Sequence, residues 1–254
     1  MLDIRQIPVR TDNYIYLMRD TDSGDVAVVD PADAAPVLAQ AKALGWTITH
    51  ILNTHHHGDH VGGNLEIQAE TNCTIVGPKA DRDRIPGISV EVGDGDHFRF
   101  GRAVATVFDV PGHTRGHIAF HFAEDKALFC GDTLFAMGCG RLFEGTPAQM
   151  WTSLGKLRAL PDDTRVFCAH EYTEANARFA LSIDPDNAAL KSRVDEIDRT
   201  RAANRPTVPS LLGEEKRTNP FLRADDPALA AGLDMTGRDA TAVFAEIRSR
   251  KDNF

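Results

Sequence analysis

The sequence lacks the features that place a protein in a membrane or in an oxidising compartment. No uninterrupted apolar run approaches the length that spans a bilayer. The start of the chain has no apolar secretion signal and no Arg/Ser-rich transit segment, so we expect a cytoplasmic protein. The four cysteines are widely spaced without a Cys-x-x-Cys pair, which favours buried free thiols over a disulfide framework.

The sequence has fewer basic residues than acidic ones, 28 Lys and Arg against 37 Asp and Glu. The net charge of −9 argues against a nucleic-acid-binding surface over the whole protein. A length of 254 residues with 42% hydrophobic residues is enough for one large domain or two smaller ones, each with its own core.

Short β patterns dominate the chain before His170, and helical patterns dominate after it. This change predicts an α/β domain over residues 1–172 and a helical domain over residues 173–254. Residues 205–223 are rich in proline and predict irregular structure. The main predicted elements are a strand pair at 13–18 and 25–30, a helix at 34–44 ended by Gly45, a strand at 48–52, and helices at 173–183, 188–204 and 241–251.

A histidine cluster follows the predicted strand at 48–52. His55 and His57 are two residues apart, so in extended backbone they point to the same side. Asp59 and His60 follow Gly58, where the chain can turn. Imidazole and carboxylate groups suit zinc, iron or manganese, whereas the alternative is a solvated polar loop.

Three later strand ends carry residues of the same type, namely His113, Asp132 and His170. Each of them alone is explained equally well as a turn residue with local hydrogen bonds, Asp132 above all. Four strand ends that together supply five histidines and two aspartates instead indicate a metal centre.

The pattern His55-x-His57-x-Asp59-His60 with His113, Asp132 and His170 resembles the metallo-β-lactamase superfamily, and within it the glyoxalase II (hydroxyacylglutathione hydrolase) family. The resemblance implies a four-layer αβ/βα sandwich followed by the helical domain, which would bind substrate. It also implies two divalent metal ions, with zinc expected and iron or manganese as alternatives. The matching stretches are 54–60, 111–117, 129–133, 138–145, 169–173, 219–223 and 248–254.

By the same resemblance, one ion would be held by His55, His57 and His113, and the other by Asp59, His60 and His170. Asp132 would bridge the two ions, and Asp59 and Asp132 would be the catalytic carboxylates. The implied reaction is hydrolysis of S-(R)-lactoylglutathione to glutathione and D-lactate by a hydroxide shared between the ions, the second step of methylglyoxal detoxification. A thiolate leaves easily, so no separate general acid is needed.

The substrate contacts implied by the resemblance are Arg141, Phe143, Tyr172, Arg248 and Lys251. Family members often have lysine at position 141 and tyrosine at 143, so Phe143 removes a hydroxyl. Without the resemblance, Arg248 and Lys251 would be interpreted as a solvated basic helix end.

The other histidines are expected outside the metal shell. We expect His56 to face away from the metals in a supporting hydrogen bond. His117 is expected to be structural, and His50, His97 and His121 to be ordinary polar residues.

Other functions stay open. The alternatives are another superfamily hydrolase acting on lactones or other acyl thioesters, and a glutathione persulfide dioxygenase with one iron and no helical tail. The net charge disfavours a nuclease, and the absence of a sulfur-rich closed site disfavours a module in which metals only hold the fold. We expect a monomer whose partner is a small glutathione thioester, with no nucleic acid and no membrane.

Overall fold

The computed structural model describes residues 1–254 and contains two compact units. The first unit comprises residues 1–109 and 115–131, and the second comprises residues 110–114 and 132–254. The boundary near residue 173 between an α/β domain and a helical domain stays a prediction.

A six-stranded sheet forms the first part of the first unit, with its strands in sequence order. Strands β1 to β3 pair antiparallel, and β3 to β6 pair parallel. The β-branched residues of β3 are fully buried, as expected for a strand inside a parallel sheet. The strands are β1 (Leu2–Val9), β2 (Asn13–Asp20), β3 (Val26–Val29), β4 (His50–Leu52), β5 (Thr74–Pro78) and β6 (Val90–Val92).

Helices connect the parallel strands of this sheet. They are α1 (Ala34–Leu44), the single turn α2 (Gly58–Val61) and α3 (Asn64–Thr71), with a 3₁₀ helix over Lys79–Arg84. α1 ends at Gly45, whose left-handed backbone suits a helix C-terminus. Val37 and Ala41 of α1 pack in the core of this sheet, and Trp46 packs against the same core.

Four more strands of the first unit form an antiparallel arrangement in the order β7, β8, β9, β10. All residues of β9 and β10 are buried, and apolar residues dominate both strands, with His121 as the polar exception. The strands are β7 (His97–Phe100), β8 (Ala103–Asp109), β9 (Ile118–Phe122) and β10 (Ala127–Gly131).

The second unit consists mainly of helices. Its strands form two short antiparallel pairs, β11 (Leu134–Phe135) with β12 (Gly138–Cys139), and β13 (Arg165–Cys168) with β14 (Ser210–Leu211). One core joins Met137 to α5 and α6. Trp151 of α4 lies 6.1 Å from Phe244 of α9, measured between ring centroids. The helices are α4 (Pro147–Arg158), α5 (Thr173–Ile183), α6 (Ala188–Ala202), α7 (Leu212–Thr218), α8 (Pro227–Gly232) and α9 (Ala240–Asp252).

The predicted secondary structure is largely confirmed. The helices at 34–44 and 173–183 have the predicted bounds, and the final helix extends by one residue at each end. The prediction of irregular structure over 205–223 is wrong, because this stretch contains β14, α7 and a 3₁₀ helix at Pro220–Leu222. No helix is both long enough and apolar enough to cross a membrane.

Candidate metal centre and basic cluster

Asp30 organises the metal-ligand candidates of the first unit. It follows β3 and accepts hydrogen bonds from the Thr54 backbone N (2.7 Å) and the Thr54 hydroxyl (2.6 Å). Its Oδ2 also lies 3.1 Å from Nδ1 of His60. Because the carboxylate accepts the Nδ1 proton, the Nε2 lone pair of His60 is left for a ligand.

The same chain of hydrogen bonds orients His55. The Thr54 hydroxyl donates to Asp30, so it accepts from Nδ1 of His55 at 3.1 Å. Nε2 of His55 then lies 3.1 Å from Nδ1 of His57. Ligand atoms of Asp30, His55 and His60 all lie within 4.8 Å of one another, so Asp30 holds the two imidazoles in one compact buried group.

Asp59 sits beside His60 at the start of α2. Its Oδ2 lies 3.6 Å from Nε2 of His60 and accepts a 3.2 Å hydrogen bond from the amide of buried Asn13. The rotation of this carboxylate is therefore restricted, with an oxygen held next to the imidazole nitrogen.

His56 faces a different set of partners. Its Nδ1 donates to Asp81 at 2.9 Å, and its Nε2 accepts from Arg84 at 3.2 Å. Asp81 is buried and is also paired with Arg84. This supporting hydrogen bond was predicted for His56, and it anchors the loop between His55 and His57.

His117 stacks on His55, with ring centroids 4.4 Å apart and an interplanar angle of 18°. Its Nδ1 donates to the backbone carbonyl of Ile118 at 3.0 Å. The residue thus packs behind a ligand candidate, in agreement with the structural role expected for it.

The second unit carries the other three candidates as one group. Oδ2 of Asp132 lies 3.4 Å from Nε2 of His113, and Oδ1 lies 3.4 Å from Nε2 of His170. His113 donates its Nδ1 proton to the carbonyl of Arg141 at 2.8 Å, so Nε2, which faces the carboxylate, is the nitrogen available to a metal ion. Imidazole nitrogens and carboxylate oxygens that face each other at this distance are suited to holding a cation between them, and Asp132 has a separate oxygen for each histidine.

The β11–β12 hairpin lies between Asp132 and Arg141 in sequence, and buried side chains from the helices hold it. The Asn219 amide donates to the carbonyls of Phe135 (3.2 Å) and Gly138 (3.0 Å). Glu215 accepts from the backbone N of Met137 at 2.8 Å, and the Asn176 amide donates to Ala136 at 3.2 Å. The helical region of the chain therefore fixes the backbone on which Asp132 and Arg141 sit.

Arg248 is only 5% exposed, so it is not the solvated helix end that its sequence position allows. Its guanidinium donates to the carbonyl of Cys139 at 3.0 Å, pairs with Asp252 at 2.9 Å, and lies 5.0 Å above the Phe221 ring. The half-exposed Asp252 also lies 3.8 Å from Nε of Arg141. Arg141 and Arg248 are thereby grouped around one carboxylate.

Lys251 is placed beside α5. Its Nζ donates to the Ala175 carbonyl at 3.2 Å and lies 5.2 Å from the Phe179 ring and 5.4 Å from the Phe254 ring. Burial lowers the pKa of Lys251, and the charges of Arg248, Arg178 and Arg141 lower it further. We call Arg141, Arg178, Arg248 and Lys251 the basic cluster.

The two predicted aromatic contacts differ in their surroundings. The Tyr172 ring is 38% exposed and stacks on His170, with centroids 4.7 Å apart and the planes parallel within 1°. Phe143 is 64% exposed, and its ring lies edge-on to His113 with a centroid distance of 5.2 Å. Each aromatic residue therefore contacts a ligand candidate.

Two residues of these sites were missed by the sequence interpretation. Asp30 has the same position after a strand as the predicted ligands, and this position was the available signal. Its backbone is left-handed, with φ of 48°, which aspartate tolerates. No sequence pattern indicated a binding role for Arg178, because arginines are common on helix surfaces.

The chain matches two known families along nearly its whole length. Residues 9–170 match the Metallo-beta-lactamase superfamily, and residues 171–254 match the Hydroxyacylglutathione hydrolase C-terminus. A hydroxyacylglutathione hydrolase from Methylococcus capsulatus is 61% identical over 254 residues, covering 100% of this chain and 99% of the relative. One from Rhodospirillum rubrum is 60% identical over 253 residues, again covering 100% and 99%.

Solved structures agree with these matches. The crystal structure of ETHE1 from Myxococcus xanthus aligns with a TM-score of 0.71 at 26% identity, covering 97% of this chain and 90% of that one. The two sheets and the helical C-terminal region thus define the metallo-β-lactamase fold, which confirms the predicted fold class. This class of protein binds divalent metal ions, and the His/Asp groups described above are of the kind that holds them.

Within that superfamily, the chain belongs to the hydroxyacylglutathione hydrolase family, as the predicted resemblance indicated.

Proposed function

We propose that this chain hydrolyses the thioester S-(R)-lactoylglutathione, and related 2-hydroxyacylglutathiones, to glutathione and the free acid. For the lactoyl thioester the acid is D-lactate, which makes this the second step of methylglyoxal detoxification. The observation that carries the proposal is the identity of 61% over the full chain to a protein named hydroxyacylglutathione hydrolase. A match to the C-terminal family over residues 171–254 supports it.

Two divalent ions are proposed as the cofactors, held by seven side chains. One set is His55, His57 and His113, the other is Asp59, His60 and His170, and Asp132 is shared. The Nε2 of His113 that faces Asp132, and the fixed Nε2 of His60, support these assignments. Zinc is the expected metal, and iron and manganese accept the same ligands.

When bound, such ions lower the pKa of water from 15.7 to roughly 7 and polarise a carbonyl oxygen. The chain's own residues supply the rest of the chemistry. Asp59, restrained by Asn13, can accept and orient the proton of the attacking water. Asp132 directs one oxygen towards His113 and the other towards His170, which supports its proposed role as the shared ligand. The departing thiolate needs no proton donor, because thiols are acidic with a pKa near 8.5.

The glutathione part is proposed to bind Arg141, Phe143, Tyr172, Arg248 and Lys251. Glutathione has two carboxylates, and the protein as a whole is acidic, so recognition requires a local group of cations. Arg141 keeps the charge of the usual lysine and can bind a carboxylate through two hydrogen bonds. Phe143 offers an exposed apolar ring in place of a hydroxyl.

We further propose that residues 1–172 form the catalytic domain, that residues 173–254 form the substrate-binding domain, and that the protein is a cytoplasmic monomer. These proposals follow from the change of sequence pattern near residue 173 and from the positions of the two family matches, 9–170 and 171–254. Size-exclusion chromatography with light scattering tests the monomer.

The deciding experiment is turnover of S-lactoylglutathione, followed by loss of the thioester absorbance, together with metal analysis of the purified protein. We expect hydrolysis and two ions per chain. One ion per chain with sulfite release from glutathione persulfide would instead indicate a dioxygenase. Asp132→Asn should lower both metal content and kcat, whereas Asp198→Asn, an exposed position on α6, should change neither.

A further inference from the structure

The basic cluster contains more positive charge than its acidic neighbour balances. Asp252 pairs with Arg248, lies near Arg141 and also acts on Lys251, so one carboxylate faces four cations. In a protein with a net charge of −9, like charges gathered at one place repel each other without a compensating anion. Such an arrangement is typical of a site whose anion arrives with a ligand.

Arg178 is placed next to Lys251 by α5. Lys251 donates to the carbonyl of Ala175, and Phe179 lies under its ammonium group. Arg178 stands three residues after Ala175 and directly before Phe179 on the same helix, and its side chain is exposed. It therefore lies close enough for its charge to lower the pKa of Lys251.

The ligand's chemistry fits this arrangement. Glutathione presents two carboxylates at opposite ends of an extended tripeptide, so one cationic centre cannot hold both. Arg248 is buried and already donates to Cys139 and Asp252, which leaves less of its guanidinium for a ligand. An exposed arginine with five free donors, next to a lysine, is suited to a second carboxylate.

We propose that Arg178 binds one of the two glutathione carboxylates together with Lys251, and so determines affinity for the thiol part of the substrate. This inference rests on the proposed function, because glutathione thioesters are its ligands. Arg178 contacts the glutathione part of the substrate and not the thioester bond, so its replacement raises KM and leaves kcat unchanged.

The test compares Arg178→Ala, Arg178→Lys and the control Arg199→Ala on two substrates. Arg199 is an exposed arginine on α6 that is not among the charges acting on Lys251. The substrates are S-lactoylglutathione and the lactoyl thioester of N-acetylcysteamine, which has no carboxylate. For Arg178→Ala we expect KM for the glutathione thioester to rise about fivefold to tenfold, the effect of one charge-assisted hydrogen bond. KM for the neutral thioester should stay within twofold.

Arg178→Lys should recover most of the affinity, and Arg199→Ala should behave as the unchanged protein. An equal change of KM on both thioesters, or no change on either, overturns the role of Arg178. If the unchanged protein hydrolyses neither thioester, the proposed function fails. Calorimetric titration of glutathione into the metal-loaded protein and into Arg178→Ala then still tests the carboxylate contact, since a loss of affinity supports it and an equal affinity refutes it.

Discussion

The side-chain amide of Asn219 donates a hydrogen bond of 3.0 Å to the carbonyl oxygen of Gly138, 81 residues earlier in the chain. The same amide donates to Phe135 and to Glu215, and Asn219 is fully buried. One side chain thus closes the β11–β12 hairpin against the helical part of the second unit.

Replacement of Asn219 by alanine should lower the free energy of unfolding by about 2–4 kcal/mol, because buried carbonyls lose their donor. Urea denaturation followed by circular dichroism measures this change. Asn253→Ala is the matched control, since its amide bonds only the nearby Ser249 carbonyl on the surface, and it should cost less than about 0.5 kcal/mol. Equal stabilities of the two variants would contradict the importance of the hairpin contact.

Gly116→Ala should also destabilise the protein. A Cβ atom at this position would lie 2.2 Å from the carboxylate of Asp81, which is buried and held by Arg84 and His56. The expected loss is about 1–3 kcal/mol, as for other overpacked sites. Because His56 lies between His55 and His57, metal content after dialysis should fall as well.

Gly155→Ala provides the control for that variant. Gly155 is exposed on α4, and a Cβ there meets nothing within 4 Å. Alanine is the better helix former, so thermal denaturation should show a gain of about 0.5–1 kcal/mol. A Gly116→Ala protein as stable as the unchanged one would show that Asp81 moves freely.

The four cysteines should resist thiol reagents in the native protein. All are buried, and burial raises the pKa of Cys139 to about 11 and that of Cys168 to about 12. Reaction with a chromogenic disulfide at pH 8 should therefore label none of them quickly. In denaturant the count should reach four. A count below four reactive thiols in denaturant without reductant would reveal a disulfide.

Affinity for glutathione thioesters should fall at alkaline pH before an ordinary lysine titrates. Burial first, and then Arg248, Arg178 and Arg141, lower the pKa of Lys251 below its usual 10.5. Its positive charge is consequently lost at a lower pH, and KM for S-lactoylglutathione should rise there. Lys251→Arg should move this alkaline rise to higher pH, because a guanidinium stays protonated. If KM rose at the same pH in Lys251→Arg as in the unchanged protein, Lys251 would be excluded as the source of the rise.

As the pH rises, Lys251 weakens substrate binding but increases the stability of the folded protein. Between the lowered folded-state pKa of Lys251 and 10.5, the unfolded chain binds more protons than the folded one. The contribution of Lys251 to the free energy of unfolding therefore increases with pH across that window.

Local sequence was enough to predict elements whose pattern is self-contained. The alanine- and leucine-rich helix at Ala34–Leu44, with a glycine after it, has its own periodicity and its own stop signal. α7 was missed because its seven residues include four charged ones, and its position depends on burial of Glu215 against distant Met137. Contacts of that separation leave no periodic signal in the chain.

The ligand candidates were predictable because each follows a strand. Asp30 was missed despite this, since an aspartate before Pro31 is equally typical of a turn. The burial of Arg248 depends on the packing of α9 against Cys139 and Phe221, and the placement of Arg178 beside Lys251 depends on the packing of α9 against α5. Neither arrangement can be read from charge spacing within one helix.

The positions of the two tryptophans have a practical consequence. Trp46 packs on the core of the first unit, and Trp151 lies against Phe244 in the second. Each unit therefore contains its own intrinsic fluorophore, and two single-tryptophan variants can follow the melting of each unit by emission alone. Coincident curves would mean that the protein denatures as one cooperative body, and separated curves would rank the units by resistance to heat.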